Sequence, residues 1–284
     1  MGHVGIVCDS TSDLSPAWLD DHRVRMVPLT VLFGEESFRD WVDMQPREFY
    51  ERLAASPSLP TTSQPSPADF SAAYAELVEQ GCDAIVSIHL TSQLSGTFES
   101  ATMAATEAAV PVHVIDTKLV TAATALVVKQ AVAMRDAGRS AEDIAASARV
   151  ISASMRLFFV LDTLEYLVKG GRAGKAQGLA ASLLNIKPVL MFNAEGTIEP
   201  FKKVKGTRKA LTELAEHVAQ DSRANGRMRV SILHADDLAL AEELRTALDI
   251  AGADYELDSI ELVGAVIGTY AGRGAVGAAY YPIN

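Results

Sequence analysis

The sequence predicts an α/β protein of two lobes, the first built on a parallel sheet and the second on a mixed one. Three observations lead there. Short apolar runs alternate with helical stretches through the first half, as in successive strand–helix units on a parallel sheet. Near residue 155 a second series of elements begins, and it contains a hairpin signal that a purely parallel sheet would lack. The chain has 284 residues, about twice a typical domain.

The elements follow in order. Val4 to Cys8 is an apolar run ending at Asp9, and Ser15-Pro16 then offers an N-cap and a first helical position. Val24 to Phe33 reads as a further strand and Pro46 to Leu53 as a helix. Pro57, Pro60, Pro65 and Pro67 make the next connection stiff and extended, leading to a helix from about Ala68 to Glu79. Strands at Ala84–Ile88 and Val112–Ile115 precede helical stretches at Thr97–Ala108 and Leu119–Ala137, and Ser140 caps another helix to about Ser154. This closes a first lobe, residues 1–155.

The second lobe, 156–284, opens with a strand at Leu157–Leu161. Lys187 to Phe192 and Gly196 to Val204 flank Asn193-Ala-Glu-Gly196, where Asn and Gly accept positive φ cheaply, so a hairpin is expected. A helix over Thr207–Arg223, a strand at Arg229–His234, a helix over Leu238–Ala251, and strands near 255–260 and 276–281 complete the lobe. Gly264, Gly268, Gly272, Gly274 and Gly277 crowd into fourteen residues, which suggests close backbone approach or tight turns.

With 49% hydrophobic and 21% charged residues the chain is globular rather than disordered. Its net charge of −11 disfavours nucleic acid and anionic membranes as general partners. Two distant cysteines, Cys8 and Cys82, offer neither a disulfide framework nor a thiolate metal site, and the N-terminus lacks a basic, apolar leader. An unexported, cytoplasmic protein is the expectation. GxSxG, GxxxxGK[ST], HExxH and an early GxGxxG are all absent, and the six histidines show no metal-ligand spacing. His89 and His113, in or beside apolar strands, read as structural. Asp9 and Asp13 read as cap or turn residues.

Charge is unevenly spread. Residues 1–155 carry a net −10 and residues 156–284 a net −1, while residues 169–209 hold nine basic side chains against Glu195 and Glu199. That segment is the one basic island.

Three hydroxyl-rich loops fall at or beside strand ends, where open α/β sheets bind ligands: Asp9-Ser-Thr-Ser-Asp13, Thr61-Thr-Ser-Gln-Pro-Ser66 and Thr91-Ser-Gln-Leu-Ser-Gly-Thr97. Hydroxyls and free N–H groups at a helix start suit an anionic oxygen.

VCDSTSDL at 7–14, TTSQPS at 61–66, TSQLSGT at 91–97, IDT at 115–117, LEYLVKGGRAGK at 164–175, KKVKG at 202–206 and IGTYAGRGAVG at 267–277 together resemble the DegV family. These are fatty-acid-binding proteins that serve as subunits of bacterial fatty acid kinase. The resemblance spans the chain in register. It implies a DegV-like fold that holds one long-chain fatty acid, with the carboxyl group in a cleft between lobes and the tail in an apolar tunnel of the second lobe. The protein would be a carrier rather than an enzyme, would need no cofactor or metal, and would present the carboxyl group to a separate ATP-dependent kinase. Transient membrane contact stays open.

By the same resemblance Thr62 and Ser95 match the carboxylate-holding hydroxyls, with Thr61, Ser63, Ser92, Gly96, Thr97, Gly268, Thr269 and Tyr270 as secondary head-group candidates. The family usually has GTH-x-GPG near its C-terminus, where this chain has Gly268-Thr-Tyr270-Ala-Gly-Arg273-Gly. A Tyr hydroxyl donates but takes up no charge near neutral pH, so the change bears on transfer more than on binding. Phe158, Phe159, Leu164, Leu167, Leu183, Leu184, Ile186, Leu190, Met191 and Ile267 are candidate tunnel lining. About 14 methylenes at ~0.8 kcal/mol give roughly 11 kcal/mol gross, reduced by ordering and association entropy. The basic island suggests kinase docking through Arg172, Lys175, Lys202, Lys203 and Lys205. A stand-alone hydrolase or phosphotransferase using the hydroxyl loops is the rival reading, opposed by the lack of a base paired with Ser95. A regulator binding another small acid is a third.

Overall fold

The computed structural model describes residues 3–182 and 187–283. The first lobe runs β1 (Val4–Asp9), α1 (Pro16–Asp21), β2 (Val24–Val27), β3 (Thr30–Phe33), β4 (Glu36–Arg39), α2 (Pro46–Ala55) and β5 (Thr61–Ser63). It continues with α3 (Pro67–Glu79), β6 (Ala84–His89), α4 (Thr97–Ala105), β7 (Val112–Asp116), α5 (Thr121–Asp136) and α6 (Ala141–Ser154). Four strands form an all-parallel sheet in the order β2-β1-β6-β7.

Local chemistry sets several boundaries. Ser15 Oγ accepts from Trp18 N at 3.2 Å ahead of Pro16, and Ser66 and Asp69 form a reciprocal capping box on α3. Ser140 Oγ likewise accepts from Asp143 N at 3.1 Å. The expected single strand from Val24 to Phe33 is instead two strands. Pro28 and Leu29 separate β2 from β3, and a proline lacks the N–H a continuous ladder needs. The chain then leaves the parallel sheet for an antiparallel one, β4-β3-β5. Thr61–Ser63 is therefore an edge strand rather than only a stiff connection.

The second lobe contains β8 (Arg156–Val160), α7 (Glu165–Lys169), a 3₁₀ stretch (Gly174–Ser182), β9 (Lys187–Phe192), β10 (Ile198–Val204) and α8 (Thr207–Asn225). It ends with β11 (Met228–His234), α9 (Leu238–Ile250), β12 (Tyr255–Leu262), α10 (Ala265–Ala271) and β13 (Val276–Pro282). The sheet order is β10-β9-β8-β13-β11-β12; only β11 and β12 pair in parallel. The β9–β10 hairpin is present as expected.

Strand alternation gives this sheet two different faces. Phe158, Val160 and Val189 pack with Leu211, Leu214 and Val218 of α8 and Leu244 and Leu248 of α9. Leu157, Phe159, Leu190 and Phe192 point the other way and join a core continuous with Ile6, Ile88 and Leu126 of the first lobe. Helix α5, almost wholly apolar where it is buried, packs against both β1 and β11 and so lies between the two sheets. Cys8 and Cys82 are buried free thiols, and burial pushes Cys8 up to about 12. Among the described residues no helix is long and apolar enough to cross a membrane.

Candidate functional site

A cavity of about 650 Å³ lies between the inner face of the six-stranded sheet and the first lobe. Its apolar wall comes from Leu157, Phe159 and Leu161, from Phe192, Ile198 and Leu233, and from Val266 and Ile267 of α10. The first lobe contributes Leu29, Leu90, Leu94 and Val120. The enclosure is thus built by residues of both lobes.

Of the expected lining residues, Phe159, Leu167 and Ile267 border the cavity. Phe158 and Met191 do not, because the period-two alternation of β8 and β9 turns them to the α8 side of the sheet. Leu164 and Leu190 are buried in the shared core without reaching the cavity. Leu183, Leu184 and Ile186 lie outside the described residues.

The polar end of the cavity brings together Thr62, Ser63, Gln64, Ser92, Ser95, Gly96, Arg172 and Tyr270. Thr62 arrives on β5, which pairs with β3 through Val31, and its Oγ1 stands 2.6 Å from the Tyr270 hydroxyl on α10. This bond joins the two lobes across the mouth. Ser95 Oγ lies 2.8 Å from Thr97 Oγ1 and accepts from Thr97 N at 3.3 Å, a local turn that fixes the hydroxyl at the start of α4.

The secondary candidates separate. Ser63 lines the cavity and Thr61 does not. Ser92 lines it too, its Oγ held by Asp116 at 2.7 Å. Thr97 and Thr269 are buried away from the cavity, with Thr269 Oγ1 donating to Ala265 O at 2.9 Å within its own helix. Gly268 serves close packing: a Cβ there would run into the Phe49 ring and the Tyr50 hydroxyl of α2. Gly96 does border the site, but its N–H already donates to Gln64 Oε1 at 3.0 Å, and Gln64 Nε2 donates to Ser100 Oγ at 3.2 Å. The Gln64 amide thus covers the first turn of α4, and only a residue without a Cβ leaves room for it there.

Two polar side chains at this end of the cavity are absent from the expected lining. One is Gln64. The other is Arg172, expected to face a partner yet folded into the cavity mouth. Its Nη1 donates to Gly170 O at 2.8 Å, its Nε to Leu94 O at 3.3 Å, and its guanidinium carbon stands 5.0 Å from the Tyr270 ring centroid. No carboxylate among the described residues pairs with it. The only signal in the sequence was a lone Arg between glycines, which gives charge but not direction. Among the described lining side chains Arg172 and Tyr270 are the only ionisable ones, so the mouth combines hydroxyl donors with one positive charge.

The rest of the basic island is largely neutralised by carboxylates from outside the segment. Lys169 pairs with Glu165 and Lys187 with Asp162, while Lys202 pairs with Glu213. Lys175 takes Glu199, from inside the segment. Lys203 and Lys205 are exposed and form no ion pair among the described residues.

The hydroxyl loop after β1 serves structure. Asp9 accepts from Thr11 N and Leu90 N, each at 3.0 Å, and from Thr11 Oγ1 at 2.5 Å. His89 Nδ1 lies 3.0 Å from Asp9, His89 Nε2 lies 2.6 Å from Ser87 Oγ, and Tyr74 OH stands 2.9 Å from that hydroxyl. This serine–histidine–carboxylate row has the order of a hydrolytic triad. Ser87, His89 and Asp9 are each 0% exposed, however, and none borders the cavity, so a substrate has no way in. Among the described residues no group of His, Cys, Asp and Glu is arranged to hold a metal ion.

Fold and site together define a two-lobed α/β protein with a mostly apolar chamber and a polar mouth. The comparisons agree with that class: the family model described as "Uncharacterised protein, DegV family" matches residues 3–283, and the chain belongs to the DegV family. A DegV domain-containing protein of Deinococcus radiodurans is 39% identical over 99% of both chains. A DegV family protein from Thermus thermophilus, solved in a study of fatty acid binding, superposes with a TM-score of 0.93 over 100% of both chains at 34% identity. A stearic acid-binding protein from Eubacterium ventriosum gives a TM-score of 0.84 at 30% identity, over 99% of this chain and 98% of that one.

Proposed function

We propose that this protein binds one long-chain fatty acid, with the tail in the cavity and the carboxylate at the mouth near Thr62, Ser95 and Arg172. The two stretches 1–155 and 156–284 act as the lobes that enclose it. A single observation carries the reading: a chamber of about 650 Å³ with a mostly apolar lining also bears the hydroxyls of Thr62, Ser95 and Tyr270 and a guanidinium that pairs with no carboxylate among the described residues. A carboxylate removed from water needs hydrogen bonds or a countercharge, and this mouth supplies both. Gln64 holds back the N–H of Gly96, so side chains rather than the α4 terminus carry the head group.

The carrier then offers its carboxyl oxygen to a separate ATP-dependent kinase, in the cytoplasm, and performs no chemistry itself. Support for this step is positional. The carboxylate site opens at the mouth, and the unpaired Lys203 and Lys205 lie on the lobe that carries Arg172, where they suit an acidic partner surface.

Organic extraction of the purified protein followed by mass spectrometry tests the first claim. One long-chain fatty acid per protein chain is expected. A protein that carries no lipid and takes up no long-chain acid on incubation overturns it. For the second, the lipid-loaded protein mixed with the cognate kinase and ATP should give acyl-phosphate, and neither component alone should.

A further inference from the structure

Two buried carboxylates behind the cavity have no role in the reading above. Asp13, in the loop after β1, reaches out of the first lobe. Its Oδ1 accepts from Gly264 N at 2.9 Å and from Trp41 Nε1 at 3.3 Å, and its Oδ2 accepts from Thr121 Oγ1 at 2.6 Å. Asp40, following β4, accepts from Ala265 N at 3.1 Å through Oδ1, while its Oδ2 is buried with no hydrogen-bond partner. Both therefore grip the start of α10, the helix whose Val266, Ile267 and Tyr270 form cavity wall and mouth. Thr121 also lines the cavity while donating to Asp13.

No Lys or Arg among the described residues pairs with either group. The charged and titratable neighbours are Asp9 from β1, Tyr50 from α2, which donates to Val263 O at 3.1 Å, and, beyond Tyr50, Asp236 and Arg273. Arg273 is committed to Asp236 at 2.5 Å. Asp13 and Asp40 thus hold the adjacent N–H groups of Gly264 and Ala265 as two buried acids without a countercharge. Such a pair is stable with a proton and strained with two full negative charges.

We propose that Asp13 and Asp40 form a proton-carrying clasp that holds α10 against the first lobe, positions Tyr270 and the cavity wall, and loosens its hold on the bound ligand when the proton is lost. The ligand half of this statement rests on the fatty-acid reading. Burial is the main cause holding both groups above the usual carboxylate range, with Asp40 raised to about 7. The hydroxyl of Ser10 and the N–H groups of Ala265 and Val266 oppose the shift at Asp40 without cancelling it. Because the folded value is raised, the clasp's contribution is full below the ordinary carboxylate range, declines as pH rises from there, and is lost once pH has passed about 7.

The test measures release of stearic acid and amide hydrogen exchange of residues 265–271 between pH 5.5 and 9, with exchange corrected for its intrinsic pH dependence. In the wild type, release and α10 opening should rise together, by up to about tenfold per unit, as pH climbs from 5.5 to about 7, and should level off above it. Asp40→Asn, a neutral isostere, should keep the acid-side values throughout. Because the same lipid is used, its own titration cancels in the comparison. A flat wild-type profile, or an Asp40→Asn profile with the wild-type slope, overturns the clasp. If Asp40→Asn does not fold, protection of α10 relative to α8 in the wild type decides alone, and a constant ratio overturns it. Failure to bind stearic acid at any pH would sink the fatty-acid reading, while the exchange profile would still judge the clasp.

Discussion

The two faces of the six-stranded sheet begin from the same strands and end in opposite states. Toward α8 and α9, Phe158, Val160 and Val189 meet a close-packed layer of Leu211, Leu214, Val218 and Leu244. Toward the first lobe, Leu157, Phe159 and Phe192 border a chamber of about 650 Å³. Phe158 and Phe159 are consecutive residues with opposite duties. A protein that must hold an apolar guest can place its own stability on one side of a sheet and leave the other side underfilled, since alternate residues of one strand answer to different neighbours.

That division can be broken first at the polar end of the underfilled side. Thr62→Ala with Ser95→Ala should remove about 1.5–3 kcal/mol per hydrogen bond to the carboxylate. Lipid occupancy in titrations with a labelled fatty acid should then collapse while the melting temperature stays near wild type; unchanged occupancy in the folded double variant places the head group elsewhere. On the packed side, Phe158→Ala should cost about 3–5 kcal/mol of folding stability, read by chemical denaturation, and leave the profile of bound acyl chains as it was. A shift in chain length with that variant would mean that the two faces are not independent. Filling the chamber sharpens the contrast: Leu157→Trp should shorten the preferred chain by several methylenes, as seen in extracted lipid, with a loss of about 1–3 kcal/mol from overpacking. The smallest effect concerns the rim. Lys203→Glu should weaken association with the kinase a few-fold at low salt, whereas Lys175→Glu, already paired with Glu199, should disturb a local pair more than the partner.

Much of the architecture was legible because it is local. Ser15-Pro16 and Ser140 announce helix starts by their own hydrogen bonds, and β1, β6 and β11 are apolar runs bounded by polar loops. The β4-β3-β5 sheet was not legible: β4 is Glu-Ser-Phe-Arg, mostly exposed, and only pairing across the fold makes it a strand. Helix α10 hid inside a glycine-rich run that reads as turn. The island of Lys and Arg misled for a physical reason, since a linear window counts charge that Asp162, Glu165 and Glu213 cancel from outside it. Arg172 shows the converse. Its value to the mouth depends on where the loop after α7 folds, which no spacing rule encodes.

The hydrogen bond between Thr62 and Tyr270 has a consequence in time rather than in energy. Its partners are 208 positions apart and sit on opposite lobes, so parting the two walls at the mouth separates the pair. Under the proposed carrier function, departure into bulk water proceeds at the frequency of that opening. A partner surface that pries the pair apart as it docks would then receive the acyl chain at its own pace, without the chain crossing open solvent.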